Sequence, residues 1–182
     1  MFEIVILVLV LTVQAAWLMI PAYISNPMAV VLGGGKPIDF GKNWIDGERI
    51  LGDGKTIRGL TGGTICGIIA GIIQMQISPL NTLFVSPPLI AVITLSFGAL
   101  FGDIVKSFFK RRMRFRRGAP LLLIDQLDFV LGAWVLTYIF DPVWFIDNFT
   151  VIMMLVILVI TPVLHRLTNI LGYHVKLKKE PW

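Results

Sequence analysis

Asp125 and Asp128 are spaced so that, on a helix, both carboxylates fall on one face with β-carbons roughly 5–6 Å apart. Carboxylates that close repel, and a cation between them relieves the repulsion. Mg2+ suits such a pair, being a hard ion that takes one or two carboxylates and fills its remaining positions with substrate phosphates and water. Capping of a helix N-terminus is the other use of negative charge at this place, although one aspartate suffices for it. Ahead of the pair, Lys106, Lys110, Arg111, Arg112, Arg114, Arg116 and Arg117 supply seven of the chain's sixteen basic residues. Anchoring at an anionic leaflet accounts for Arg112, Arg114, Arg116 and Arg117. It does not account for Asp103, near the polar end of an apolar stretch, where an ionised carboxylate must be paired, hydrated or bound to a metal. The nearby lysines are candidates for that pairing.

A second concentration of polar residues reads GGGKPIDFGKNWIDGERILGDGKTIRGLTGG. Its Gly52-Asp53-Gly54-Lys55-Thr56 passage is not a Walker-type loop, because Arg49 stands where the leading glycine belongs and no strand precedes it. A glycine-rich passage running into a helix still offers backbone N–H groups, the positive end of the helix dipole, and Lys55, Thr56 and Arg58 as donors. Together these suit a polyphosphate. A flexible loop of turn glycines is the plainer alternative, and the length, beyond about 12–15 residues, weighs against it. His165 and His174 have no metal-ligand companion at suitable spacing and read as interfacial. Asn148-Phe149-Thr150 matches a glycosylation acceptor, but capping of the following helix is the favoured reading.

The elements that must position these residues are apolar. The chain is 56% hydrophobic over 182 residues, against roughly 45–50% in soluble domains. It therefore reads as an all-α, polytopic membrane helix bundle, one domain over residues 1–182. Five segments, at about 2–31, 60–77, 87–107, 127–146 and 149–171, are expected to be transmembrane helices. The first lacks the positive leader of a signal peptide, carries Glu3, and is expected to be retained, kinked or ended by Pro21 and Pro27. All sixteen Lys and Arg residues fall in the first loop, the third loop and the tail. The positive-inside rule then places the N-terminus outside and the C-terminus in the cytoplasm, with cytoplasmic loops at about 32–59 and 106–126. The net charge of +5, gathered beside apolar spans, favours lipid headgroups or phosphorylated substrates over nucleic acid. Cys66, the single cysteine, can form no intrachain disulfide and reads as a packing residue. Gly63, Gly67 and Gly71, and Gly98 with Gly102, mark faces for close helix packing within the bundle, with a homodimer or a lipid-chain groove as lesser uses.

Gly102-Asp103, Ser107, Lys110-Arg111 and Asp125-x-x-Asp128 together resemble the C-terminal signature of the membrane cytidylyltransferases of the CDP-diacylglycerol synthase superfamily. Gly54-Lys55-Thr56-x-x-Gly59 resembles a loop of the same family, with Arg58 where Glu is usual. The stretch from Asn26 to Gly59 is similar more narrowly to the archaeal, CDP-archaeol-forming branch, and that likeness runs over nearly the whole chain. The chain departs from the wider family in lacking its Lys-Asp and Pro-Gly-His-Gly-Gly passages and in having Gln126 where Arg follows the first aspartate.

The resemblance implies that the phosphate of an unsaturated archaeal ether lipid, digeranylgeranylglyceryl phosphate, attacks the α-phosphorus of CTP and releases pyrophosphate in the cell membrane, on its cytoplasmic side. On it, Asp125, Asp128 and Asp103 are expected to hold Mg2+; Lys110, Arg111, Lys55 and Arg58 to neutralise the phosphates; and the passage from Gly52 to Gly59, with Asp53, Gly54 and Thr56, to cradle CTP. The motif carries Ser107 into the nucleotide site beside Asp103. A bacterial-type enzyme acting on an ester lipid differs from this in the lipid alone. A non-catalytic transporter or scaffold predicts ionisable residues in mid-span, whereas here they sit at or near span ends.

Overall fold

The computed structural model describes residues 2–80, 82–113 and 124–174, apart from the side chains of residues 124, 125, 171 and 172. Arg114, Arg116 and Arg117, and the tail's Lys176, Lys178 and Lys179, lie outside the described residues. Within them the chain forms α1 (Phe2–Leu18), α2 (Ile20–Val31), α3 (Ile57–Ile77), α4 (Leu89–Arg112), α5 (Ile124–Phe140), α6 (Pro142–Asn148) and α7 (Val151–His174). A single 3-10 turn, Ser78–Leu80, extends α3. The all-helical expectation holds among the described residues, where β-pairing is limited to isolated bridges in the loop before α3.

Among the described residues, three helices are long and apolar enough to cross a membrane, within Ile57–Leu80, Leu89–Arg112 and Val151–Ile170; a fourth span results if α1 and α2 count as one. Those two meet at a 55° bend. The bend falls at Met19, ahead of Pro21, which occupies the first turn of α2, where its missing N–H costs no hydrogen bond. Pro27 lies inside α2 and does not end it. The expected fourth segment, 127–146, is divided. Pro142 cannot continue the α5 ladder, Asp141 leaves helical geometry, and its carboxylate caps α6 by accepting from the Trp144 N–H at 3.2 Å. The connection from Asp141 to Asn148 is thus a short helix. Phe145 and Phe149 stack at 4.8 Å between ring centroids, with Trp134, Tyr138 and Trp144 against them, an aromatic cluster at the end of the bundle away from the 33–56 loop. At the start of α7, Thr150 rather than Asn148 accepts from the Met153 N–H.

Glycines decide how the long helices cross. On α3, Gly63 faces the Ser25 carbonyl and the Ala29 methyl of α2, and Gly67 faces Pro21 and Ser25 of α2 and Ser96 of α4; a Cβ at either would overlap them. Gly71 abuts Val92 of α4. On α4, Gly98 and Gly102 meet Gly132 and the backbone of Asp128 on α5. With lipid outside as apolar as the core, such close backbone approach is what gains dispersion energy for one helix pair over another. These faces are used within the chain. Cys66, on the same helix, is half-buried. Several buried polar groups pair between helices, which offsets their removal from water: Thr94 with Thr137 at 3.0 Å, Tyr23 with Thr161 at 2.7 Å, and the Gln74 amide donating to the Trp17 carbonyl at 2.8 Å. Leu95 and Ala99 of α4, Val130 and Ala133 of α5, Ala22 of α2 and Ile157 of α7 complete the core.

Gly102→Val would set a branched side chain against the Asp128 carbonyl. It should lower stability by about 1–3 kcal/mol, the usual cost of overpacking. Thermal unfolding in detergent reads this, and a midpoint equal to that of the unaltered protein would contradict the crossing.

Candidate functional site

The loop between α2 and α3 is folded, and Asp39 folds it. Its buried carboxylate accepts from the Arg49 Nη2 and Nε at 2.7 and 3.2 Å and from the backbone N–H groups of Leu51, Gly52 and Gly41 at 3.0, 2.9 and 3.1 Å. The Arg49 guanidinium, followed by these N–H groups, holds the Asp39 carboxyl well below the usual carboxylate range despite its burial. Arg49 also reaches Asp53 at 2.9 Å. Gly52 takes a positive φ of 91°, which a side chain would resist, and so turns the backbone back to Asp39. Antiparallel bridges pair Pro37 with Thr56 and Asn43 with Arg49. The loop leads into α3 through Thr56, whose hydroxyl oxygen accepts from the Gly59 N–H at 3.0 Å as an N-cap.

Arg112 fastens this loop to α4. It donates to the carbonyl of Arg49 at 2.6 Å, pairs with Asp46 at 2.9 Å, and lies over the Phe108 ring at 4.9 Å. The expectation that Arg112 is a leaflet anchor is therefore corrected: its charge is spent on the loop, because the last turn of α4 runs beneath it.

Under the loop, four charges from three elements meet. Lys55 pairs with Asp103 of α4. One turn on, Lys106 lies 3.2 Å from Asp103 Oδ1 and 2.7 Å from Asp128 Oδ2 on α5. The Asp128 side chain is 6% exposed and that of Lys106 16%. The Gly102–Asp128 backbone contact is what brings the second carboxylate within reach. A cavity of about 200 Å3 opens on one side, lined by Gly33, Asp53, Gly54, Lys55, Thr56 and Asp103 among others. On the other side of Lys106 and Asp128, an apolar groove of about 550 Å3 runs between α4 and α5 past Phe101, Val105, Leu131 and Val135, with Lys110 at its polar end.

Asp53, Gly54, Lys55, Thr56 and Asp103 are thus brought to one cavity. Asp128, joined to Asp103 through Lys106, lines the apolar groove, as does Lys110. Arg111 packs on Gly52, 3.4 Å from where a Cβ would stand. Arg58 is exposed on the first turn of α3 and does not line the cavity, since the helix turns it away from the buried Gly59 face. The Ser107 hydroxyl donates to the Asp103 carbonyl of its own helix at 2.8 Å rather than into the cavity. Asp125 stands in the first turn of α5, and its side chain lies outside the described residues. Among those described, no group of three or more Asp, Glu, His or Cys side chains converges as a metal cage. Two carboxylates that converge on one ammonium nevertheless form a hard-oxygen pair of the kind that takes a divalent cation together with substrate oxygens. The donor set fits Mg2+.

The profile of the CarS-like family, described as CDP-archaeol synthase, matches residues 5–182. Proteins named CDP-archaeol synthase from Methanosarcina barkeri, Methanosarcina mazei and Methanospirillum hungatei are 56, 55 and 55% identical to the chain, each over 90% of it and all of the relative. A solved structure, described as an intramembrane enzyme for archaeal membrane lipid biosynthesis, is 37% identical and superposes with a TM-score of 0.73 over 87% of this chain and 94% of that one.

The lowered Asp39 pKa fixes the sign of the loop's pH dependence. Its contribution is present above the unfolded value, about 3.9, and is lost as pH falls below that toward the folded value. Amide exchange at Leu51 and Gly52, taken relative to its intrinsic rate at each pH, should therefore be slow at neutral pH and approach that rate in acid below about pH 4. Asp39→Asn should raise it at neutral pH by at least about tenfold, since a hydrogen bond to a charged group is worth about 1.5–3 kcal/mol. Equal exchange in the variant would remove Asp39 from this role.

Proposed function

The chain belongs to the CDP-archaeol synthase family, and we propose on that premise how its own residues divide the work. The protein is a membrane-embedded cytidylyltransferase that forms CDP-archaeol from CTP and a lipid phosphate. The cavity beside Lys55 receives the CTP triphosphate, and the apolar groove between α4 and α5 receives the tails of the unsaturated ether lipid, phosphate toward Lys110. The observation that carries this reading is that two spaces of different character, one mixed and lined in part by Asp53, Lys55, Thr56 and Asp103, the other almost wholly apolar, adjoin a single Asp103–Lys106–Asp128 cluster.

The step is balanced without a protein nucleophile. An oxygen of the lipid phosphate forms a bond to the α-phosphorus of CTP as the bond from that phosphorus to the β-phosphate bridge breaks, and pyrophosphate carries the electron pair away. A phosphate monoester is largely dianionic at neutral pH, its second pKa being about 6, so its oxygen attacks without a general base. What the protein supplies is alignment and charge neutralisation. Lys55 and the N–H groups around Gly54 hold the departing phosphates; Lys110 holds the lipid phosphate; Arg111, packed on Gly52, sets the loop's position and adds positive potential. Asp103 and Asp128, with Asp125, would hold Mg2+, which when bound would supply a positive charge that offsets the triphosphate's. The distribution of basic residues supports a site facing the cytoplasm, where CTP is found. The exposed apolar faces, α1 above all, leave surface for a second copy of the chain.

Purified protein given CTP, Mg2+ and either the ether or the ester lipid phosphate, with the CDP-lipid measured by mass spectrometry, tests the reading. Asp128→Asn should lower kcat by at least about a hundredfold, the scale of one lost electrostatic partner in such a transfer. Lys55→Ala should raise the KM for CTP, and Lys110→Ala that for the lipid phosphate. An unchanged KM for CTP in the former would remove the nucleotide from this cavity, and the reverse pattern would exchange the two substrates.

A further inference from the structure

Lys106 has no role in the division of work above, yet it stands at the centre of the cluster. One ammonium lies within 3.2 Å of two carboxylates that come from different helices, with only 16% of its side chain exposed. With Lys55 on Asp103, the four side chains sum to zero charge. A divalent cation placed on the same oxygens leaves that group with an excess of two positive charges in a poorly hydrated place, and the ammonium nearest to both oxygens meets the strongest repulsion. Lys55 is held by the folded loop. Lys106 rides on a flexible four-carbon stem and also lines the apolar groove. Turned into that groove alone, it would be an uncompensated charge among Phe101, Val105 and Leu131; turned toward a phosphate there, it would be paired.

We propose that Lys106 is a resident stand-in for the metal ion, displaced when the metal binds, and that its displaced ammonium is what the lipid phosphate then meets. Metal loading and lipid-phosphate binding are thereby coupled through one side chain. Coupling of this kind is reciprocal, so a phosphate-headed lipid strengthens metal binding as much as metal strengthens lipid binding. On this account Lys106 contacts the lipid phosphate beside Lys110 and sets the order in which the site fills. The proposal rests on the reading that Asp103 and Asp128 hold the metal.

The test titrates the full chain in detergent with Mn2+, followed by electron paramagnetic resonance, with a phosphate-monoester lipid or a neutral lipid present. In the unaltered protein, the phosphate lipid should lower the Mn2+ Kd at least about fivefold, the lower end of usual coupling between sites. Lys106→Met should bind Mn2+ more tightly than the unaltered protein with neutral lipid and should lose the difference between the two lipids. Binding that does not depend on Asp128, judged with Asp128→Asn, overturns both the metal reading and this inference. Asp128-dependent binding whose lipid coupling survives in Lys106→Met overturns the inference alone. Acetylation of the unaltered protein by a water-soluble amine reagent needs no variant. Bound Mn2+ should raise modification of Lys106 relative to exposed Lys42 at least about fivefold, and an unaltered ratio overturns the displacement.

Discussion

The arrangement of charges in this protein depends on a backbone contact between glycines. Gly98 and Gly102 on α4 let α5 approach until Gly132 and the Asp128 carbonyl touch them. Only at that separation do Asp103 and Asp128, on different helices, come within reach of one lysine. The glycine face of α3 does the corresponding service on the other side, drawing α2 and α4 together so that Lys55, at the foot of the loop, reaches Asp103. The two spaces follow from the same two crossings, one opening where the loop roofs α2, α3 and α4, the other between α4 and α5.

Much of this was legible one residue at a time and little of it pairwise. Asp103 had to be compensated because of where it sits on an apolar stretch, and the nearby lysines were candidates, of which the structure uses Lys106, three residues on. That the same lysine also serves Asp128 depends on a helix crossing, which no local pattern records. The glycine spacings pointed to close packing but not to the partner of each face. Arg112 looked like its neighbours in a basic run; only the course of the loop above α4 gives it a different use. Asp39 carried no local pattern at all, since its arginine lies ten residues away and its remaining donors are backbone groups. The break at Asp141–Pro142 was readable from proline chemistry, whereas the short helix beyond it was not, the flanking residues being apolar on both sides.

The loop changes character once it is seen folded. Its glycines alone would allow mobility, yet Asp39 gathers its far end, Thr56 caps its exit into α3, and Arg112 pins its middle to α4. It is a roof of fixed shape, so Lys55 and the N–H groups near it are arranged before a nucleotide arrives and less ordering entropy is lost on binding.

The crossing of α4 and α5 has a further consequence for how such a sequence can drift. Because the spacing between the carboxylates is set by main chain against main chain, the apolar side chains around it do not have to keep their shapes to preserve it. Leucine can give way to isoleucine or phenylalanine along the lipid-facing sides with the reacting centre undisturbed. The burden of invariance falls on a few residues with no side chain to speak of, and a lineage could refit its membrane-facing surface to new lipids without renegotiating its chemistry.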